Sequence, residues 1–279
     1  MTKYLIIGKN GQLGTEFVRQ LTKNNFDFVA FDHHQLDVSD TYKIVELIEQ
    51  IKPEIVINTS AYNQVDLAEK NYNLAYKTNG LGVNNLVFAC KKYNSLIIHY
   101  STDYVFDGKK DLGLYEENDL VNPLNEYGKS KYLGETFLDN YSNSLLFRTS
   151  WVFGEGLQNF IYKFLQWTKN NNTLKVSFNE ISIPTSTKTI VDLTFRAIDS
   201  GLNGKFHLTN SGCCSRYEYA KYILKISNLS NIIEPVDIAS FNLPAKRPGF
   251  SAMSNQKLSK ELNYLIPEWS DVVKDYLSS

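Results

Sequence analysis

Residues 3–14 read KYLIIGKNGQLG: a short apolar run, Lys3–Gly8, that stops at glycine and passes directly into a G-x-x-G-x-x-G pattern at Gly8, Gly11 and Gly14. Apolar residues then recur at Leu13, Phe17, Val18 and Leu21, a helical period. Strand, glycine loop and helix in that order make a phosphate-binding turn. Gly8 lets the backbone turn, Gly11 lets it approach a pyrophosphate, and Gly14 lets the helix pack closely on the strand. The start of the helix offers unpaired N–H groups and partial positive charge to the phosphates.

The rest of the first half repeats the alternation. A second strand is expected at 27–32, a helix at Thr41–Ile51 stopped before Pro53, and a third strand at Glu54–Ser60. Tyr72–Lys92 reads as one long helix whose weak points are Gly80 and Gly82. Ser95–Ser101 and Leu145–Ser150 read as further strands, with a helix at Lys129–Asn140 between them. Strands alternating with helices imply an α/β fold, a Rossmann-type doubly wound parallel sheet with both faces covered. Residues 1–150 are expected to form the NAD(P)-binding domain. After Trp151 the alternation weakens, so residues 151–279 read as a smaller α/β substrate-binding region. It is partly interleaved with the first, because a helix at Ile190–Asp199 can return to the sheet.

Asp32 ends the second strand, where a carboxylate accepts hydrogen bonds from the adenosine ribose. The same carboxylate opposes a 2′-phosphate, whereas His33, His34 and Lys9 accommodate one. NADPH and NADH therefore both stay open on the residues. A formal charge of −1 with scattered basic residues argues against a nucleic-acid partner, and no apolar run approaches a membrane span. The N-terminus reads as the first strand and not a secretory signal. Cys90, Cys213 and Cys214 give no disulfide framework and suit reduced thiols in a cytoplasmic protein.

The stretch NEYGKSK, 125–131, places Tyr127 and Lys131 four apart, on one face of a helix. An ammonium beside a phenol favours the phenolate, which brings the tyrosine toward neutrality for passing a proton to a substrate oxygen. Thr102, at the end of the fourth strand in STDYVF, is placed to hydrogen-bond that oxygen. Hydride transfer to a carbonyl needs such help, because negative charge builds on the oxygen.

With GKNGQLG (8–14), INTSAYNQVDLAE (57–69), HYSTDYVFDG (99–108), YGKSK (127–131), FRTSWVFG (147–154) and AKRPGFS (245–251), the chain resembles the extended short-chain dehydrogenase/reductases. Within that superfamily it resembles the dTDP-4-dehydrorhamnose reductase family over nearly its whole length. The resemblance implies NADPH-dependent (NADH possible) reduction of the C4 ketone of dTDP-4-dehydro-L-rhamnose, with Tyr127 the acid, Lys131 its partner and Thr102 the carbonyl anchor. It places the cofactor against Gly8, Asn10, Gly11, Gln12, Leu13, Gly14, Asp32, Asp37, Val38, Ser60, Ala61 and Tyr62, together with Tyr127 and Lys131. Val65, Asp66, Thr102, Asp103, Trp151 and Arg247 match the substrate side, where a guanidinium also suits a diphosphate on its own chemistry.

Two segments depart from the family pattern, Asn179–Thr185 and Ala61–Asp66, and both border the substrate side. The exact nucleotide and sugar therefore stay open among dTDP-, UDP- and CDP-linked 4-keto-6-deoxy sugars. An epimerase, a dehydratase or a non-catalytic regulatory subunit on the same fold are the other readings. Some members dimerise around magnesium. Glu16 matches one acid of that site, but Lys188 stands at the other, so no metal is expected, and the chain is expected to be a monomer or homodimer.

Overall fold

The computed structural model describes residues 3–278. Strands β1 (Tyr4–Ile7), β2 (Phe28–Phe31), β3 (Ile55–Asn58), β4 (Leu96–Thr102) and β5 (Ser144–Thr149) are joined by helical crossovers. The crossovers are α1 (Gln12–Lys23), α2 (Thr41–Ile51), a short α3 (Val65–Ala68), α4 (Tyr72–Tyr76), α5 (Gly82–Lys91) and α6 (Glu126–Leu138). All pairs in the main sheet are parallel. Its order is β10-β5-β4-β3-β1-β2, with β10 (Gly204–His207) at one edge. The chain goes outward from β1 to β2 and then jumps to the other side of β1 for β3. That reversal opens a crevice at the carboxyl ends of β1 and β3, where doubly wound sheets bind their ligands.

Alternation along the strands builds two cores. Tyr4, Ile6, Ile57, Ile98, Tyr100 and Phe147 face α1 and α8 (Thr187–Asp199). Leu5, Ile7, Val56, Ile97 and Leu146 face α2, α5 and α6. The helix expected at 190–199 thus covers the sheet beside α1, and β10, which carries no strong strand signal, closes the edge on β5.

The long helix expected at 72–92 is interrupted. Residues Lys77–Leu81 form a π-helical turn between α4 and α5. It aims the fully buried Asn79 at the chain after β3: Asn79 accepts from the Tyr62 N–H (2.8 Å) and donates to the Tyr62 carbonyl (3.0 Å) and Ser130 Oγ (2.9 Å). Extra residues of this kind in a helix commonly serve such re-aiming. Helix α6 begins three residues before its expected start, because Asn125 caps it by accepting from the Gly128 N–H. Tyr127 and Lys131 therefore both lie on the helix.

Beyond Trp151, short strands tie the second region together. β6 (Val152–Phe153) pairs with β9 (Thr185–Ser186), β8 (Ile181–Ser182) with β11 (Cys214–Ser215), and β7 (Thr173–Ser177) with β12 (Ile232–Val236). Helices α7 (Phe160–Asn170), α9 (Arg216–Ile226) and α11 (Trp269–Ser278) enclose a third core around Phe164, Tyr219 and Ile223. A short α10 (Gln256–Glu261) packs on β10. No helix among the described residues is long and apolar enough to cross a membrane, and the three cysteines are unbridged.

Candidate active site

A cleft of about 840 Å³ runs from the glycine loop across the ends of β3, β4 and β5. Gln12, Leu13, Ser60, Ala61, Thr102, Tyr127 and Lys131 line it, as do Val65, Asp66, Asp103, Trp151 and Arg247. A smaller contiguous recess of about 220 Å³ takes in Gly8, Asn10, Gly11, Asp32 and Val38. Three of the expected residues do not reach the cleft surface. Gly14 sits behind the loop, where a Cβ would stand 2.2 Å from the Gly8 carbonyl oxygen. Asp37 accepts from the Ser39 N–H (2.9 Å), turning the chain into α2. Tyr62 is held by Asn79.

Tyr127 projects from the first turn of α6, beside Thr102 at the end of β4. Burial pushes its phenol up to about 12, with the Thr102 hydroxyl pulling the other way and the Asp103 charge adding to the rise. The expected drop toward neutrality is absent because Lys131 is engaged elsewhere. Its ammonium donates to the Tyr100 carbonyl and stands 3.4 Å from His99 Nε2. Burial lowers Lys131 to about 8, opposed by the Glu135 charge. The phenol is consequently protonated at neutral pH, the form a proton donor needs.

Thr102 Oγ1 donates to Asp103 Oδ1 (3.1 Å) and accepts from the Tyr104 N–H (3.2 Å). Its single proton serves either Asp103 or the Tyr127 oxygen, and donation to the latter is what pulls the phenol down. The Asp103 carboxylate also accepts from Ser182 Oγ (2.8 Å) and from Ser251 Oγ. It is a buried junction joining the end of β4 to β8 and the 245–251 loop, raised to about 6 chiefly by burial. Asp66 grips Arg247 through both oxygens, at 3.1 and 2.7 Å, and accepts from the Ala245 N–H. The guanidinium hydrogen bond holds Asp66 below the usual carboxylate range. Trp151, with φ of 41°, turns the chain out of β5 in a left-handed conformation that bulky residues rarely adopt. The Arg216 guanidinium lies 3.5 Å from its ring centre.

The chain matches the family model described as the RmlD substrate binding domain over residues 2–279. The chain belongs to that family. The dTDP-4-dehydrorhamnose reductase of Aggregatibacter actinomycetemcomitans is 34% identical, covering 99% of this chain and 98% of the relative. The spore coat polysaccharide biosynthesis protein SpsK of Bacillus subtilis is 33% identical, covering 99% and 97%. The crystal structure of the dTDP-4-dehydrorhamnose reductase of Bacillus anthracis, in complex with NADP, superposes with a TM-score of 0.95 at 31% identity, over 100% and 99% of the two chains.

The residues of this RmlD-family chain fit a dinucleotide. A Cβ on Gly8 would meet the Ser60 backbone nitrogen at 2.8 Å, so the loop and the end of β3 approach as only glycine allows, while a Cβ on Gly11 would meet the Gly8 carbonyl oxygen at 3.4 Å. Gln12 Oε1, Ser101 Oγ and Thr149 Oγ1 are buried along the cleft without a protein partner, as polar atoms awaiting a ligand would be. Asp32 is engaged within the loop, accepting from the His34 and Gln35 N–H groups and from Asn10 Nδ2 (3.1 Å), with Lys9 4.0 Å away. Among the described residues no cluster of His, Cys, Asp and Glu is arranged for a metal. Glu16 is taken by Arg19 and Gln20, and Lys188 is exposed.

Sequence reasoning missed Ser101, Thr149, Gln158 and Lys163 on the cleft wall, and His99 and Arg148 behind it. The last two carried a signal. Each is a polar residue inside an apolar central strand, LIIHYST and SLLFRT, where a parallel sheet tolerates it only if it is paired.

Proposed function

We propose that the protein reduces the C4 ketone of dTDP-4-dehydro-L-rhamnose to dTDP-L-rhamnose with NADPH, supplying sugar for cell-surface polysaccharide from the cytoplasm. The observation that carries this reading is the meeting of Thr102, Tyr127 and Lys131 in one cleft beneath the glycine loop, in a chain of this family. Relatives named as this reductase, one of them with NADP in its structure, support the substrate and the cofactor.

The nicotinamide, when bound, supplies hydride to the ketone carbon. Tyr127 donates its proton to the oxygen as charge gathers there. Thr102, whose hydroxyl lies between Asp103 and the Tyr127 oxygen, hydrogen-bonds the same ketone oxygen and holds it against the phenol. Lys131 returns a proton to the phenolate. Arg247, fixed by Asp66, pairs with the diphosphate, and Val65 and Trp151 wall the sugar. A second cavity of about 470 Å³ shares Val65, Gln158, Lys163 and Arg247 with the cleft and continues to Phe160, Trp167 and Arg216. Its aromatic and cationic lining suits the nucleotide end, with the 151–279 region as the substrate-facing part. One chain supplies every residue named, so a monomer and a homodimer serve equally.

The test is to give purified protein each nicotinamide with a panel of 4-keto nucleotide sugars, following cofactor absorbance and product stereochemistry. The proposal expects one NADPH oxidised per dTDP-L-rhamnose formed. Net turnover confined to another sugar, or conversion without net cofactor consumption, would replace it.

A further inference from the structure

Behind Lys131 the sheet buries a polar chain that the reaction as described does not use. Asn58 of β3 and His99 of β4 are register partners, and both are about 1% exposed. Asn58 Oδ1 accepts from the Ser60 backbone N–H (3.1 Å) and from Ser60 Oγ (2.6 Å). A backbone N–H can only be met by the amide oxygen, so the Asn58 amide is oriented without ambiguity. Its NH2 then faces His99 Nδ1 at 3.1 Å and must donate to it. An imidazole nitrogen that accepts carries no proton, so the ring is neutral with its hydrogen on Nε2. Nε2 faces Lys131 Nζ.

We propose that His99 is a positioning residue for Lys131: Asn58 locks it in the Nε2–H tautomer, so that it meets the lysine with a donor and favours the neutral amine. This deepens the reading above and rests on it for its catalytic meaning. An ammonium has three donors and no acceptor, and gains nothing from a facing N–H. The amine left when Lys131 has reprotonated Tyr127 does have a lone pair, and His99 donates to it. The proton passes from Lys131 to the phenolate, and Lys131 regains one from the open cleft. The His99 proton stays in place, because Asn58 offers no acceptor behind it.

Other groups around Lys131 act differently. Glu135, one turn along α6, favours the ammonium, and burial opposes it. Tyr127 shares its helix face, Asp103 and Tyr104 occupy the turn after β4, and Arg148 of β5 is neutralised by Glu135. Burial and the lysine charge both hold His99 well below the usual histidine range, in keeping with a neutral ring.

Two measurements on the full chain test this. Nitrogen NMR of histidine-labelled protein is expected to show His99 protonated at Nε2 and bare at Nδ1 at neutral pH. The opposite tautomer, or an imidazolium, overturns the proposal whatever the enzyme's substrate proves to be. Carbon NMR at Lys131 Cε then follows the lysine through its titration. In His99→Phe, which keeps a flat ring and loses the donor, the midpoint is expected to rise by about one pH unit, a tenfold change. In Asn58→Asp the carboxylate pulls the histidine proton to Nδ1 and turns a lone pair toward Lys131, and the same rise is expected. Should the phenylalanine variant not fold, the nitrogen NMR of the unaltered chain decides, because the aspartate charge by itself also favours the ammonium. A midpoint that stays put in a folded variant overturns the proposal. In the working enzyme the alkaline limb of kcat moves with the midpoint, whereas a purely structural histidine would change stability and leave that limb alone.

Discussion

Removing the charge of Glu135 is expected to cost more stability than any change on the cleft surface. Glu135 and Arg148 are 0% and 1% exposed in their side chains, and three contacts join them: Nε at 3.0 and 3.2 Å and Nη2 at 2.6 Å. The pair fastens α6, which carries Tyr127 and Lys131, to β5. In Glu135→Leu the guanidinium keeps only the Glu117 carbonyl at 3.4 Å and the face of Phe106 at 5.1 Å. An uncompensated buried charge of this kind costs about 3–5 kcal/mol, a large share of the ~5–15 kcal/mol that holds a typical domain folded. Arg148→Met is expected to cost less, because Lys205 stands 3.7 Å from Glu135 and partly replaces the lost cation. The double variant has no stranded charge and should be more stable than Glu135→Leu alone. Urea unfolding followed by circular dichroism gives all four corners of the cycle. A double variant as unstable as the sum of the single losses would refute the reasoning. Since the Glu135 charge favours the Lys131 ammonium, its loss should also move the alkaline limb of activity downward, opposite to the His99 variants.

Gly14→Ala would place a methyl 2.2 Å from the Gly8 carbonyl oxygen and 2.8 Å from Lys9 Cα, all rigid backbone. Such overpacking costs about 1–3 kcal/mol, and displacement of the loop should weaken NADPH at least ~10-fold in a fluorescence titration; an unchanged Kd would contradict the loop assignment. Asp66→Ala should leave Arg247 unclamped and raise the nucleotide-sugar KM about 10-fold with little change in kcat, read by steady-state kinetics. The acid limb of stability follows from three buried groups. His99 is held well below its ordinary value and His207 lowered to about 3, both mainly by burial, so the unfolded chain binds two extra protons below about pH 6.5. Asp103, raised to about 6, binds its proton first in the folded chain and opposes them between about pH 6 and 4. Stability should therefore fall by roughly 1.4 kcal/mol per pH unit in that window. His207→Gln should bring the slope near zero, and urea titrations at several pH values measure it.

The first half of the fold was legible because its signals are local. A glycine loop after an apolar run, helical periods and a proline stop each announce an element within about ten residues. The π-turn at Lys77–Leu81 was not legible, since its cause lies in three-dimensional neighbours: Gly80 faces Leu133, and Gly82 faces Val38. β10 and the two-residue strands of the second region are too short to show a period, and only pairing defines them. At the site, the tyrosine and lysine were readable from spacing, but their electrostatics were not. A helix face says that two side chains are near. It does not say that the Tyr100 carbonyl occupies the lysine ammonium, or that burial dominates the phenol. Asp103 shows the same limit: the sequence marks it as facing substrate, and the folded chain engages its carboxylate with three hydroxyls.

The central claim is that the Tyr127 phenol protonates the ketone oxygen of a nucleotide sugar. Its most direct test is the turnover of dTDP-4-dehydrorhamnose and NADPH by Tyr127→Phe, with NADPH binding measured alongside to show an intact cleft. A loss of at least ~10²-fold in kcat with cofactor affinity retained is the expected result. Undiminished turnover by the phenylalanine variant would contradict it.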